Sequence, residues 1–330
     1  MHYVTHIKKG YYDLAILHVD QQCIYLPEKG DRISKGRLYI EVNDYIKKVD
    51  PNLPIFVINH MTPFHDKYKG AFVVEYIKSV VGDNFMIVNS YEAQKQWGFG
   101  KVLTHGLESS EWGFDIDHFN KTGEKKDAIK EPRCIIVLSP RGMEKAYRRI
   151  FLRHTMRILK ADYKLDCEWV GVTKKFDTFD DYRDFLAKSL VFFNPTWQSP
   201  RPRSRTESMM SGCCVVSTPY QDADTFINSG RLRYTKLDSG ETKTDLKYDK
   251  DTTGFLTSQE PHKDPRVMDN PQVAADLIKT LVQDMPDVAL QVGKQGREMA
   301  KKEFSKKGFD KKWADLLIER GVLDKDWNKG

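Results

Sequence analysis

The chain has no apolar run approaching the roughly 20 residues needed to cross a bilayer. Its first residues, Met1 to Lys9, carry no apolar core of the signal-peptide kind. No G-x-G-x-x-G follows the first strand-like run, and G-x-x-x-x-G-K-[ST] occurs nowhere. Those two absences count against a dinucleotide oxidoreductase and against a P-loop hydrolase. Cysteines are few and odd in number: Cys23, Cys134, Cys167, Cys213 and Cys214. No histidine or second cysteine pair stands at ligand spacing near Cys213 and Cys214, so a metal or redox site is not indicated. They read as reduced core residues of a cytosolic protein. No repeat of solenoid period is present. What remains is an ordinary soluble composition, 40% hydrophobic and 30% charged over 330 residues, enough for two domains with full cores.

The net charge of +6 is modest, but its distribution is uneven. Arg141, Lys145, Arg148, Arg149, Arg153, Arg157 and Lys160 fall within one stretch that holds a single acid, Glu144. Arg148, Arg149, Arg153 and Arg157 form either a solvated helix face or a surface for an anion: a membrane, a nucleic acid or a phosphorylated substrate.

Strand-like and helix-like runs alternate along most of the chain, which predicts parallel α/β architecture. Strands are expected at 13–19, 55–59, 85–88, 102–104, 134–138, 168–170 and 190–193, with helices between them. The polar stretch 123–132 contains Gly123 and Pro132 and reads as an interdomain linker. The expected domains are therefore 1–122 and 133–308, with residues 309–330 forming a closing helix that packs back on the first domain. Two such domains would enclose a cleft, the usual place for a ligand. Residues 231–251 break the rhythm and read as a surface hairpin around Asp238–Ser239–Gly240.

The most informative stretch runs from Asn194 to Ser217. Its apolar strand ends at Phe193, and Pro195, Pro200 and Pro202 hold the following loop extended. Ser204 or Thr206 is expected to cap a helix carrying Glu207 in its first turns, and Gly212 to end it. Arg201, Arg203 and Arg205 thus gather at the carboxyl end of a strand beside a helix N-terminus, where open α/β sheets bind phosphate-bearing ligands. Glu207 reads either as a carboxylate favoured by the helix dipole or as an acceptor for two vicinal ribose hydroxyls. Arg141 and Lys145 follow the strand 134–138 and suit a diphosphate leaving group, or else a basic helix start. His60 follows the strand 55–59 and is either a structural histidine or a proton carrier facing a cleft. Trp97, Trp112, Trp169 and Trp313 read as core.

These residues together resemble the retaining glycosyltransferases of the glycogen-synthase and sucrose-synthase type, the family with the GT-B fold of two Rossmann-like domains. The resemblance runs from about Ile55 onward. Val88–Asn89–Ser90, Trp97–Gly98, Val102 to Gly106 and Trp112 are similar to the passage that closes the family's first domain. Pro195 to Val216 resembles its donor-binding signature, Gly254–Phe255–Leu256 the motif that follows, and Arg297 to Trp313 its closing helices. The resemblance implies a nucleotide-sugar donor, most simply a UDP-sugar, on the second domain and an acceptor on the first. It also implies transfer with retention, without an obligatory metal or other cofactor. Glu207 matches the second glutamate of the family's Glu-x7-Glu motif and would hold the donor ribose, with Thr206 beside it. Arg141 and Lys145 match its diphosphate pair, and His60 its first-domain histidine near the transferred sugar. The chain departs from the family at Ser199, where the first motif glutamate stands, and at Arg201 and Pro202, where Phe-Gly is usual. Arg201 or Arg203 would then replace the missing backbone donors, because proline has no N–H. The expected acceptor is DNA, a glycan or a lipid. The alternatives are a non-catalytic nucleotide-sugar binder on the same fold and a plain nucleic-acid-binding protein.

Overall fold

The computed structural model describes residues 7–19, 35–60, 70–137, 149–196, 202–258, 269–324 and 326, excepting the side chains of 35–38, 70–73 and 149. The chain divides into two units, Met1–His105 with Phe309–Gly330, and Gly106–Gly308. The stretch 123–132, expected as a linker, lies inside the second unit. There Phe114 bridges Asp127, the Asp115 N–H donates to the Lys126 carbonyl at 2.8 Å, and Glu131 already opens a strand. Its glycine ends a short helix in the left-handed region and its proline sits near the start of that strand. These are local roles that imitate a linker's composition.

The first unit contains β1 (Ala15–Val19), α1 (Lys35–Val49), β2 (Ile55–Asn59), α2 (Gly70–Val81), β3 (Phe85–Val88), α3 (Tyr91–Trp97) and β4 (Lys101–Val102). Its parallel sheet has the order β1-β2-β3-β4. A chain that steps one way across a parallel sheet by right-handed crossovers puts its connecting helices on one face. Ile46, Ile77 and Trp97 accordingly pack on Val57 and Val88 from that side.

The second unit contains α4 (Ile116–Thr122), β5 (Glu131–Val137), α5 (Arg149–Arg157), β6 (Cys167–Val170), α6 (Phe179–Lys188), β7 (Ser189–Asn194), α7 (Arg203–Met210), β8 (Cys214–Ser217), α8 (Ala223–Phe226), β9 (Ser229–Lys236), β10 (Thr242–Lys247), β11 (Gly254–Leu256), α9 (Pro271–Lys279) and α10 (Pro286–Phe304). The sheet order is β10-β9-β11-β8-β7-β5-β6, parallel except for β10. Alternate strand residues go to opposite layers. Cys134, Ile136, Val191 and Phe193 pack with Phe151, Ile278 and Val292, whereas Ile135, Phe192 and Val215 pack with Leu186, Met209 and Met210. Cys134, Cys167, Cys213 and Cys214 are buried free thiols. At Gly293 of α10 a Cβ would lie 2.4 Å from the Gly212 carbonyl oxygen, so only glycine lets the helix approach this closely.

A last helix, α11 (Lys306–Glu319), covers the face of the first sheet that α1 to α3 leave open. Its Trp313 stacks on Phe56 at 6.4 Å and its Leu316 packs with Ile87 and Leu103. Trp97 and Trp112 are fully buried; Trp169 and Trp313 are half-buried. No helix among the described residues is long and apolar enough to cross a membrane.

Candidate functional site

In the second unit the chain runs from β5 outward to β6, then returns to the other side of β5 to form β7. The order of a doubly wound sheet reverses at such a point, and its ligand crevice opens there at the carboxyl ends of the strands. The segments following β5 and β7 are the two that the sequence marks with arginines. Arg141, Lys145, Arg148, Ser199 and Arg201 lie outside the described residues.

α7 opens at Arg203 with Pro202 as its N-cap and no capping side chain. Ser204 and Thr206, expected as caps, are inside the helix. Proline's fixed φ, here −69°, already sets the chain for helix entry, and the Ser204 carbonyl accepts from Ser208 Oγ at 2.8 Å. The Arg205 N–H turns back to the Pro202 carbonyl at 3.1 Å, and no side-chain cap takes the N–H groups of Arg203 and Ser204 among the described residues, a helix start that suits an anion.

One turn into this helix, Glu207 is only 7% exposed. Its Oε1 accepts from Arg203 Nε at 2.9 Å and its Oε2 from the Tyr182 hydroxyl at 2.8 Å. Burial pushes the Glu207 carboxyl up from its ordinary range, and the Tyr182 hydrogen bond and Arg203 pull partly against that. Burial, then the neighbouring carboxylate, holds the Tyr182 hydroxyl far above its usual value, so it remains a donor. A carboxylate offers about four lone-pair sites. These two hydrogen bonds leave one acceptor position on each oxygen, the valence that a pair of vicinal hydroxyls fills. Arg203 itself is mostly exposed beyond its bond to Glu207. Its free N–H groups and the uncapped helix start favour an anion.

Arg205 needs a correction. It is buried, and its guanidinium donates to the carbonyl of Tyr220 at 3.1 Å and to that of Gln221. It braces a turn in which Gln221 and Asp222 take positive φ, +57° and +62°, and is not free for phosphate. Thr206 is buried as well. Two further buried atoms at this strand edge, Asn194 Nδ2 and Thr257 Oγ1, find no partner among the described residues. Buried polar atoms of this kind find their partners in water, an ion or a ligand.

Tyr182 carries no motif and is not identifiable in sequence. The capping box of Thr178 and Asp181 sets the phase of α6 and so brings Tyr182 to α7. His18 likewise stands in no motif. It lies beside Ile58 in the β1–β2 register, and its Nδ1 is 2.8 Å from His60 Nε2, with the exposed rings nearly parallel. One ring nitrogen donates to the other. On α5, Arg153 and Arg157 are exposed. A cavity of 690 Å³ bounded in part by Ile116, Arg133, Lys174 and Asp181 shares no residue with the Glu207 cluster. Its carboxylates Asp117 and Asp184 are already bridged by Lys188 at 3.2 and 2.6 Å.

No family model and no curated protein matches this sequence. Among solved structures the chain is similar to sucrose-phosphate synthase from Thermosynechococcus elongatus, with a TM-score of 0.58 and 13% identity over 95% of this chain and 75% of that one. It is similar to HepE of Anabaena in complex with UDP-glucose, with a TM-score of 0.55 and 13% identity over 85% and 76%. It is also similar to the pneumococcal O-GlcNAc transferase GtfA in complex with UDP and GlcNAc, with a TM-score of 0.53 and 14% identity over 88% and 55%. At such identity the likeness is one of fold, and the fold is GT-B.

Proposed function

We propose that this chain is a glycosyltransferase that takes a sugar from a nucleotide diphosphate donor, a UDP-sugar first, and transfers it to an acceptor hydroxyl with retention of configuration. The observation that carries this reading is Glu207, buried at the switch-point edge and held by Tyr182 and Arg203 with one acceptor position left on each oxygen. The donor's ribose hydroxyls would donate to those positions. Its diphosphate would lie at the start of α7, near Arg203. Arg141 and Lys145, which follow the neighbouring strand in sequence, would neutralise the charge that grows as the sugar–phosphate bond breaks. The acceptor oxygen bonds to the anomeric carbon while the departing diphosphate takes the acceptor's proton. Ser199 and Arg201 would meet the sugar, and His60 the acceptor side. Proteins of this fold solved with UDP-glucose, or with UDP and GlcNAc, support the reading.

Thermal-shift titration of the full chain with UDP-, GDP-, ADP- and CMP-sugars tests it. Saturation at about 100 times Kd stabilises by about 2.7 kcal/mol, enough to raise Tm by several degrees. A chain that responds to none of the four donors is not such an enzyme. Ser199, standing in place of a carboxylate, favours one alternative, a nucleotide-sugar binder without turnover. Binding without product on any acceptor would select it.

Tyr182→Phe removes one hydroxyl and keeps the ring among Phe176 and Phe179. That bond to Glu207 is already made without donor and contributes about 1.5 kcal/mol, so Tm should fall by a few degrees, and donor affinity should fall severalfold as Glu207 loses its orientation. The same hydrogen bond lowers the Glu207 pKa, so the acid limb of donor binding should move to higher pH in the variant. An unmoved limb would detach Tyr182 from the site.

A further inference from the structure

β9 pairs with β11 only through Ser229 and Gly230. Arg231 to Lys236 therefore continue past the sheet with β10 as a two-stranded ribbon about 20 Å long. Since β9, β11, β8 and β7 run parallel, the ribbon leaves the same carboxyl edge at which Asn194 and the start of α7 stand.

The register sorts its side chains onto two faces. Leu232 opposite Leu246, and Tyr234 opposite Thr244, occupy the inner face. Leu246 is buried, Leu232 packs on the core, and the Tyr234 hydroxyl donates to Asp276 Oδ2 on α9 at 2.9 Å. The outer face consists of Arg231 opposite Lys247, Arg233 opposite Asp245, and Thr235 opposite Lys243, all exposed. It carries four cations and one carboxylate, and Asp245 Oδ1 already accepts the Leu246 N–H at 2.9 Å. None of the four cations forms an ion pair among the described residues. Arg231 and Lys247 are like charges directly opposite each other, an arrangement that destabilises a hairpin unless an anion lies between them.

We infer that this outer face binds nucleic acid through its phosphate backbone. Arg231 and Arg233 stand two residues, about 6.7 Å, apart on one strand, and Lys243 and Lys247 four residues, about 13 Å, apart on the other, on a ribbon fixed from behind. A two-stranded ribbon is also an element that a duplex groove admits. The face has no large apolar side chain of the kind that inserts among lipid headgroups. Binding of this kind fixes position and carries no base preference. Because the ribbon rises from the edge that holds Glu207, it would deliver a nucleic acid as the acceptor; that last step rests on the glycosyl-transfer reading, whereas the binding itself does not.

The test is fluorescence anisotropy of the full chain with a short mixed-sequence DNA duplex across a salt series. The chain should bind, and its affinity should fall steeply with salt. In the R231Q/R233Q/K243Q/K247Q variant the slope of log K against log salt should shrink by about 3 to 4, near 0.9 for each phosphate no longer neutralised. Asp245→Asn, which spares every cation, should tighten binding several-fold and covers the case in which the fourfold variant misfolds. Equal slopes in wild type and variant, no binding by the wild type, or cation-dependent binding of phosphatidylserine vesicles in place of DNA would each overturn the inference. Nucleotide-sugar affinity measured on the same samples separates the two questions. DNA binding without donor binding keeps the surface and rejects the transferase; donor binding without DNA binding does the reverse.

Discussion

Glu207→Gln is expected to weaken nucleotide-sugar binding by about 30- to 150-fold, through the loss of charge-assisted hydrogen bonds that together contribute about 2 to 3 kcal/mol. The fold should not suffer. Burial raises the Glu207 carboxyl, so the folded chain prefers its protonated form more than the unfolded chain does. The sign follows from linkage. A carboxyl raised on folding favours the folded state below its unfolded value, and that gain is lost as pH rises through the raised value. At neutral pH the ionised Glu207 is therefore a net burden, partly relieved by Tyr182 and Arg203. Glutamine keeps a neutral group at every pH, so Tm at pH 7 should stay level or rise slightly, and the difference from wild type should narrow on acidification. Wild-type donor affinity should meanwhile begin to fall at a higher pH than an ordinary carboxylate would give. Calorimetry with a UDP-sugar and melting curves at several pH values read both effects. Undiminished affinity would remove Glu207 from the ribose.

Gly293→Ala should be the more damaging change to the fold. Its methyl would lie 2.4 Å from the Gly212 carbonyl oxygen and 3.1 Å from the Cys214 nitrogen, both backbone atoms that cannot swing aside. Gly212 is itself fixed by its φ of +76°, and the preceding Ser211 carbonyl is held by Lys130 Nζ at 2.7 Å. Relief requires α10 to move off the α7–β8 connection. Overpacking of this kind costs about 3 kcal/mol or more, or a Tm lower by about 10 °C. α7 also carries Glu207, so donor affinity should fall with stability, in contrast to Glu207→Gln, where the two separate. Melting and donor titration of the two variants side by side would reveal this; a Gly293→Ala protein as stable as wild type would mean that the helix sits farther from the strand.

The strands are legible where apolar residues run without interruption, as in Ile55–Phe56–Val57–Ile58, because strands of a parallel sheet are buried on both faces. The unit boundary is not, since His105 and Gly106 lie in no composition break, while Lys121 to Pro132 looks like a linker and folds as a helix end, a bridge and a strand. The position of Glu207 follows from its place after a strand and before Gly212. Its partner Tyr182 lies 25 residues earlier on another helix, and no local pattern encodes that meeting. Arg205 misleads for the reverse reason: composition reports a guanidinium's charge but not that two carbonyls already claim it.

The closing position of α11 has a consequence for synthesis. Phe56, Ile87 and Leu103 emerge from the ribosome early, whereas Trp313 and Leu316, which shield them, emerge some two hundred residues later. Until α11 is made, the amino-terminal sheet lacks the helix that packs on this apolar face, while the whole intervening unit is synthesised. During that interval the nascent protein is a natural client for chaperones.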